Sequence, residues 1–375
     1  MKGGGLIAKG GYGCIFYPAI ETNDKRFVSK IQLKGTFASD NEKKISEILL
    51  KERGNNDFFG LITKTGNVNI KKISKEDKKE CSEIISDYKS NQFILMEIPY
   101  IGKNNYQEYI LNQSDNKNVF LYFIETYKRL LIALIKLDKN NIVHFDLKDT
   151  NIVFNETKKI PILIDFGLSI NMLKVKEYLL DYFYIFAPDY YYWPLEIHYL
   201  NFLLHVKDVV DEEDINNISE SFVSNNKVMN YMSPKFVKKY LNECKKTLRR
   251  YQKMGKEEVI NYILSFSNRI DIYSLSICFL QNLRVFNPIG FIKNDFISYF
   301  ASLLIQNIHP NPKKRLTSSE SLKNFDQFFY IEEINKTENF FEVLNNITEY
   351  RSQMNQQIKE NIKELKRLNK LIVYH

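Results

Sequence analysis

The sequence predicts an α+β protein, with strands gathered near the N-terminus and helices following them. Three observations carry this reading. Residues 6–17 (LIAKGGYGCIFY), FVSKIQL around Lys30 and FILMEIP at 93–99 read as strands rich in β-branched and aromatic residues, bounded by Gly and Pro. From Val119 to Asn140 the apolar residues recur at helical spacing instead. A length of 375 residues allows about two domains or one domain of two lobes.

Apolar residues make up 44 % of the chain, with 24 Tyr and 27 Phe, so it can bury a large core. The 53 Lys and Arg against 45 Asp and Glu leave a net charge of +8, which a solvated surface accounts for without an acidic partner. Cys14, Cys81, Cys244 and Cys278 are scattered and show no zinc spacing, so neither a disulfide framework nor a zinc site is expected. A reducing compartment follows as the default. The first residues, MKGGGLIAKGG, hold no apolar signal core, and Lys2 excludes myristoylation. The most apolar stretch is broken by Glu125, Lys128 and Arg129. The expectation is a soluble, intracellular, cytoplasmic protein with no specific signal for nucleic acid or membrane.

The chemistry concentrates in Ile142–Gly167, IVHFDLKDTNIVFNETKKIPILIDFG. Asp146 follows the apolar helix, with Lys148 and Asn151 just beyond. Two short strands around a polar turn then lead to Asp165. Two carboxylates and an amide returning to one place supply hard oxygen ligands for a divalent cation. Mg²⁺ suits such a set because it keeps waters and takes further ligands from phosphates. Lys148 adds positive charge where a phosphoryl group accumulates negative charge.

This order resembles the catalytic loop (H-R-D-L-K-x-x-N) and D-F-G segment of the eukaryotic-type protein kinases, Ser/Thr branch. The chain resembles divergent members from large DNA viruses, and the Lys/Asn/Ile/Tyr bias fits an AT-rich coding genome, as in several such viruses or some protists. A viral source would place the protein in host cytoplasm or virion. The resemblance implies a bilobal protein-kinase-like fold: a small β-rich lobe with one main helix over 1–98, and a larger, mostly helical lobe over 99–330 with an insert at about 200–265. A helical tail follows over 331–375. It implies ATP and Mg²⁺ as cofactors and a protein substrate bearing Ser or Thr. Asp165 and Asn151 would hold the metal, Asp146 would align the acceptor proton, and Lys148 is the pattern of Ser/Thr-directed members.

In chain order, the register of the glycine-rich loop is Ala8, Gly10, Gly13 and Ile15, with Gly11 beside it and Tyr12 at the tip. Ala8 stands where the family has its first Gly. Lys30 would grip the α- and β-phosphates. Its carboxylate partner lies on a helix from roughly Ser39 to Glu52, where Glu42 borders the apolar face of Ile45, Ile48 and Leu49, and Glu47 points nearly opposite. Facing favours Glu42. A capping box from Ser39 to Glu42 would instead favour Glu47. Residues 60–92 read as a solvated hairpin with a variable insert.

By the resemblance Met96 is the gatekeeper and Glu97 opens the hinge. Pro99 falls where a backbone N–H normally meets adenine, and Pro has none. Only the Glu97 carbonyl then remains as a main-chain partner. Apolar sandwiching by Ile15, Val28 and Val153 gains weight, and weak ATP affinity is expected.

Phe145 replaces the Arg of H-R-D, which removes the usual need for a phosphate on the activation segment. Trp193-Pro194-Leu195-Glu196 resembles the A-P-E ending, with Arg315 as the expected partner of Glu196. Asp271 would anchor the catalytic loop, with Ser276 where Gly is usual. The insert carries an acidic run (DEED, 211–214) and basic helices, read as a solvated elaboration or as a docking surface. Ile347, Met354, Ile358, Ile362, Leu365, Leu368 and Ile372 form a stripe on the tail. Packing on the large lobe, and a monomer, is favoured over a tail-mediated dimer. An active kinase, a nucleotide-binding pseudokinase-like scaffold and a small-molecule kinase all remain open from sequence.

Overall fold

The structure, a computed structural model, describes residues 4–10, 13–81, 92–112, 116–283 and 295–330. Strands β1 (Gly5–Lys9), β2 (Gly13–Tyr17), β3 (Phe27–Leu33), β4 (Lys64–Gly66) and β5 (Phe93–Pro99) form an antiparallel sheet in the order β1-β2-β3-β5-β4. Helix α1 (Phe37–Leu49) and the short α2 (Lys75–Glu80) accompany this sheet. The larger part is helical: α3 (Tyr106–Leu111), α4 (Asn116–Lys139), α5 (Leu179–Tyr182), α6 (Leu195–His205), α7 (Glu212–Asn225), α8 (Pro234–Tyr251), α9 (Lys256–Leu264), α10 (Ile270–Leu283), α11 (Asp295–Asn307) and α12 (Ser318–Tyr330). Two small ribbons lie among them: β6 (Ile142–Val143) with β9 (Ile170–Asn171), and β7 (Ile152–Asn155) with β8 (Ile160–Leu163). A small antiparallel sheet region followed by a larger helical part is the bilobal kinase-like arrangement that the resemblance implies.

The hydrophobic pattern explains the elements that carry the site. On α4, Phe123, Tyr127, Leu130, Leu134 and Leu137 alternate steps of four and three, placing one stripe in the main core. That helix delivers the chain to β6 and the loop that carries Asp146. In the sheet, β3 is flanked by β2 and β5, with Lys30 opposite Ile15 on one side and Met96 on the other. A Cβ on Gly13 would come within 2.7 Å of the Ile31 carbonyl, so this position needs Gly for close strand packing.

Several expectations are corrected here. Helix α1 starts earlier than the sequence suggests, because Thr36 caps it by accepting from the Ser39 N–H at 3.3 Å. The capping box from Ser39 to Glu42 is therefore not formed. The hairpin with an insert expected over 60–92 takes the form of β4 paired antiparallel with β5, with α2 in the chain between them; residues 82–91 lie outside the described residues. Cys14 and Cys81 are joined as a disulfide with Cα atoms 6.3 Å apart, linking β2 to the end of α2, whereas no disulfide was expected. Their separation of 67 residues left no spacing signal.

The insert joins the main core through Ile215, Phe222, Tyr240, Leu248 and Ile263. Its acidic run caps α7, since Asp211 accepts from Glu213 and Asp214 N–H groups at 3.0 Å. Its two charge types also satisfy each other: Glu212 pairs with Arg249, and Glu220 with Lys245 at 2.8 Å. Among the described residues no helix is long and apolar enough to cross a membrane. The tail stripe falls outside the described residues.

Candidate active site

Lys30 sits in the middle of β3, and its ammonium lies 2.9 and 2.7 Å from the two carboxylate oxygens of Glu42 on α1. It also donates to Asp165 Oδ1 at 2.8 Å, closing a contact across 135 residues of chain. The Gln32 side-chain amide donates through Nε2 to Glu42 Oε2 at 3.0 Å. Glu47 stays on the exposed face of α1, 3.9 Å from Lys43. Burial opposes the charge on Lys30, but Asp165 and Glu42 outweigh it and raise its pKa. Burial pushes the Glu42 carboxyl up. The Lys30 ammonium, bonded to both oxygens, pulls in the opposite direction. Burial would likewise raise Asp165, yet the Lys30 charge holds it at about 2. Its side chain is 39 % exposed against 6 % for Lys30, so the carboxylate faces open space while the lysine is enclosed.

The second half of the site lies between β6 and β7. Asp271 on α10 accepts from the His144 and Phe145 N–H groups at 2.6 and 2.9 Å, which pins the loop backbone. Phe145 and Asp165 both hold left-handed backbone, at φ 65° and 67°, a conformation costly for residues with a Cβ. Lys148 lies 2.9 and 2.8 Å from the two oxygens of Asp146. Asn151, at the end of a 3₁₀ turn Asp149–Asn151, donates to the Asp146 carbonyl at 2.8 Å and to Oδ2 at 3.0 Å.

The donor set fits a hard cation. Asp165 is ionised, and Asn151 turns its amide nitrogen to Asp146, so its Oδ1 points away from that contact. Among the described residues no group of three His, Cys, Asp or Glu could hold a metal by itself. A site of two protein ligands is the kind Mg²⁺ completes with phosphate and water.

The remaining predicted residues divide. Ile15, Val28 and Met96 share one apolar cluster on the sheet with Ile62, Ile98 and the stacked rings of Tyr17 and Tyr100. Val153 lies half-buried on β7 and is not part of that cluster. Ala8 is exposed on β1 beside an irregularity in the β1–β2 pairing. Gly10 donates to the Gly13 carbonyl at 2.9 Å, closing its own turn. Gly11 and Tyr12 lie outside the described residues. Pro99 ends β5 opposite Phe27. The Glu97 carbonyl, expected to be left for adenine, accepts from the Thr63 N–H at 2.9 Å and from its hydroxyl at 3.1 Å. Both lone pairs are thus engaged by the strand neighbour, which corrects that expectation.

The supporting contacts are in place. Glu196 on α6 pairs with Arg315, both fully buried, and Arg315 also donates to the Arg269 carbonyl at 3.1 Å. Removing one partner of such a pair costs about 3–5 kcal/mol, because the other charge stays buried. Ser276 is fully buried in α10. Phe145 stacks on Trp193 at 4.9 Å and meets Phe183 edge-on at 5.5 Å, while Trp193 Nε1 donates to the Phe145 carbonyl at 2.8 Å.

Sequence reasoning missed three residues. Asn41 reaches from α1 to the Gly167 and Ser169 carbonyls at 3.1 and 2.7 Å. Asp149 is buried and accepts from Tyr106 at 2.8 Å, Asn282 at 3.2 Å and Tyr192 at 3.3 Å. Burial pushes its carboxyl up to about 6 despite those bonds. Tyr190 donates to Asp146 Oδ1. The run of three tyrosines before Trp193 was the available signal, but a run of rings reads equally well as core.

No family model matches the chain. Two curated proteins of Encephalitozoon cuniculi (strain GB-M1), named probable cell division control protein 7 homolog 1 and probable cell division control protein 7 homolog 2, are similar to part of it. Each is 30% identical over 93 residues, covering 24% of this chain and 25% of the relative. The chain therefore matches about a quarter of the length of these relatives, and the likeness is weak and partial, supporting a kinase in general and nothing finer.

Proposed function

We propose that the protein is a Ser/Thr protein kinase that transfers the γ-phosphate of ATP to hydroxyls of protein substrates with Mg²⁺. The observation that carries this is the 2.8 Å contact between Lys30 and Asp165, with Glu42 behind Lys30. It joins a phosphate-gripping cation to a metal-binding carboxylate at the meeting of the sheet and the helical part.

Mg²⁺, when bound, would neutralise charge on the phosphates. Asp165 and the Asn151 amide oxygen would hold it, and Lys30, kept in place by Glu42, would orient the α- and β-phosphates. Asp146 would accept the acceptor hydroxyl's proton as the new O–P bond forms and the β–γ bridge bond breaks, releasing ADP. Such a base contributes about 10² to 10⁴ in rate. Lys148 would shift from Asp146 toward the transferred group and meet its charge. The buried pair of Glu196 and Arg315 supports a protein acceptor, since it is the feature of the resemblance tied to that branch.

The test is labelled ATP with Mg²⁺ and generic acidic and basic proteins, run beside Asp165→Ala and Asp146→Asn. Transfer by the wild type that both variants lose supports the reading. Transfer equal in all three, or nucleotide binding with no transfer, overturns it.

A further inference from the structure

Asp146 is 5 % exposed and receives more donors than its proposed chemistry needs. Lys148 bonds both oxygens, Asn151 bonds Oδ2, and the Tyr190 hydroxyl donates to Oδ1. The first two side chains have other work on the reading given above, toward the transferred phosphate and the metal. Tyr190 has none. It is fully buried, its ring meets Trp193 edge-on at 4.9 Å and lies 5.9 Å from Tyr192, and its N–H donates to the Ala187 carbonyl at 3.0 Å. Burial and the neighbouring Asp146 carboxylate raise its pKa well above the ordinary phenol range, which favours the neutral, donating form.

Resting on that reading, we propose that Tyr190 is a positioning residue for acceptor activation. Its phenol holds the Asp146 carboxylate in one rotamer when Lys148 and Asn151 turn to the nucleotide. The anchor is rigid because Trp193, which packs against Tyr190, also stacks on Phe145 and donates to its carbonyl at 2.8 Å. The segment after Asp165 is thereby wired to the base from both sides: through the side chain of Asp146 and through the backbone of its neighbour. A freely rotating carboxylate would spend part of its time misaligned, and misalignment lowers turnover without weakening binding.

The experiment compares wild type, Tyr190→Phe, Asp146→Asn and the double variant in steady-state transfer, with thermal unfolding as a control. Tyr190→Phe keeps the ring and removes the hydroxyl. A drop in kcat of about tenfold is expected, the size of one hydrogen bond to a charged group, with KM for ATP and acceptor within about twofold. In the Asp146→Asn background the same change should add less than about twofold, because the hydroxyl acts only through that carboxylate.

Unchanged kcat in Tyr190→Phe overturns the inference. So does an equal loss in the Asp146→Asn background, or a change confined to acceptor KM. A wild type without transfer removes the functional reading and this inference together. Transfer by the wild type with an indifferent Tyr190→Phe removes the inference alone. If Tyr190→Phe does not fold, 3,5-difluorotyrosine placed at position 190 keeps shape and hydroxyl but ionises more easily. It should bring the alkaline fall in kcat to lower pH, and a profile matching wild type overturns the proposal.

Discussion

Lys30 and Glu42 meet at 2.7 Å with both side chains nearly enclosed, 6 % and 3 % exposed. Only the apolar face of α1 decides that this glutamate, and not Glu47, turns inward. Ile45 and Leu49 are fully buried on the same side.

Glu42→Gln keeps the volume and removes the charge that holds Lys30 in place. Phosphotransfer, read as kcat/KM, should fall about 10²-fold. Glu47→Gln loses only an exposed contact with Lys43 at 3.9 Å and should stay within about twofold of wild type. A reversed order would assign the pairing role to Glu47.

Phe145 fills with an aromatic ring the place where the resemblance has an Arg, and its stack on Trp193 holds the following segment without a phosphate. Phosphatase-treated protein should keep the activity of untreated protein, and a drop of orders of magnitude would contradict this. Phe145→Arg would bury an unpaired cation among Trp193 and Phe183. It should destabilise by about 3 kcal/mol in urea titration.

ATP should bind weakly. Pro99 offers no N–H, and the Glu97 carbonyl is already bonded to Thr63. Adenine in that register would rely on apolar contact with Ile15, Val28 and Met96. Calorimetry with ATP and Mg²⁺ should give a Kd above about 10 µM, and tighter binding would place the hinge elsewhere.

Asp138, on α4, is pushed up to about 7 by burial and then by the charge of Asp271. In the unfolded chain it titrates near about 3.9. Between those values the folded state binds the extra proton, so this residue makes stability fall as pH rises from about 4 to 7. Asp138→Asn should remove that slope and raise the melting temperature at pH 8 by a few degrees. An unaltered pH profile would contradict it.

The grouping of Asp146, Lys148 and Asn151 was legible because they are close in sequence and their residue types have few other uses in that order. Glu42 was legible from helical facing, since an amphipathic helix allows one inward side. The basic part of the insert and α4 were legible as helices for the same reason. Other features had no such local signature. Thr36 took the cap expected of Ser39 because helix ends are set by which side chain reaches a free N–H. Cys14 found Cys81 through the docking of α2 on the sheet.

The sequence by itself determined the class of fold and the chemical inventory: a cation on a central strand, carboxylates and an amide around a short ribbon, and long helices to carry them. Periodicity and local motif order encode those things over a few residues at a time. The tertiary structure alone decided which groups share a hydrogen bond. Lys30 with Asp165, Tyr190 with Asp146 and Tyr106 with Asp149 are pairings between distant segments. Such contacts depend on how buried faces pack together, and no short window of sequence contains that information.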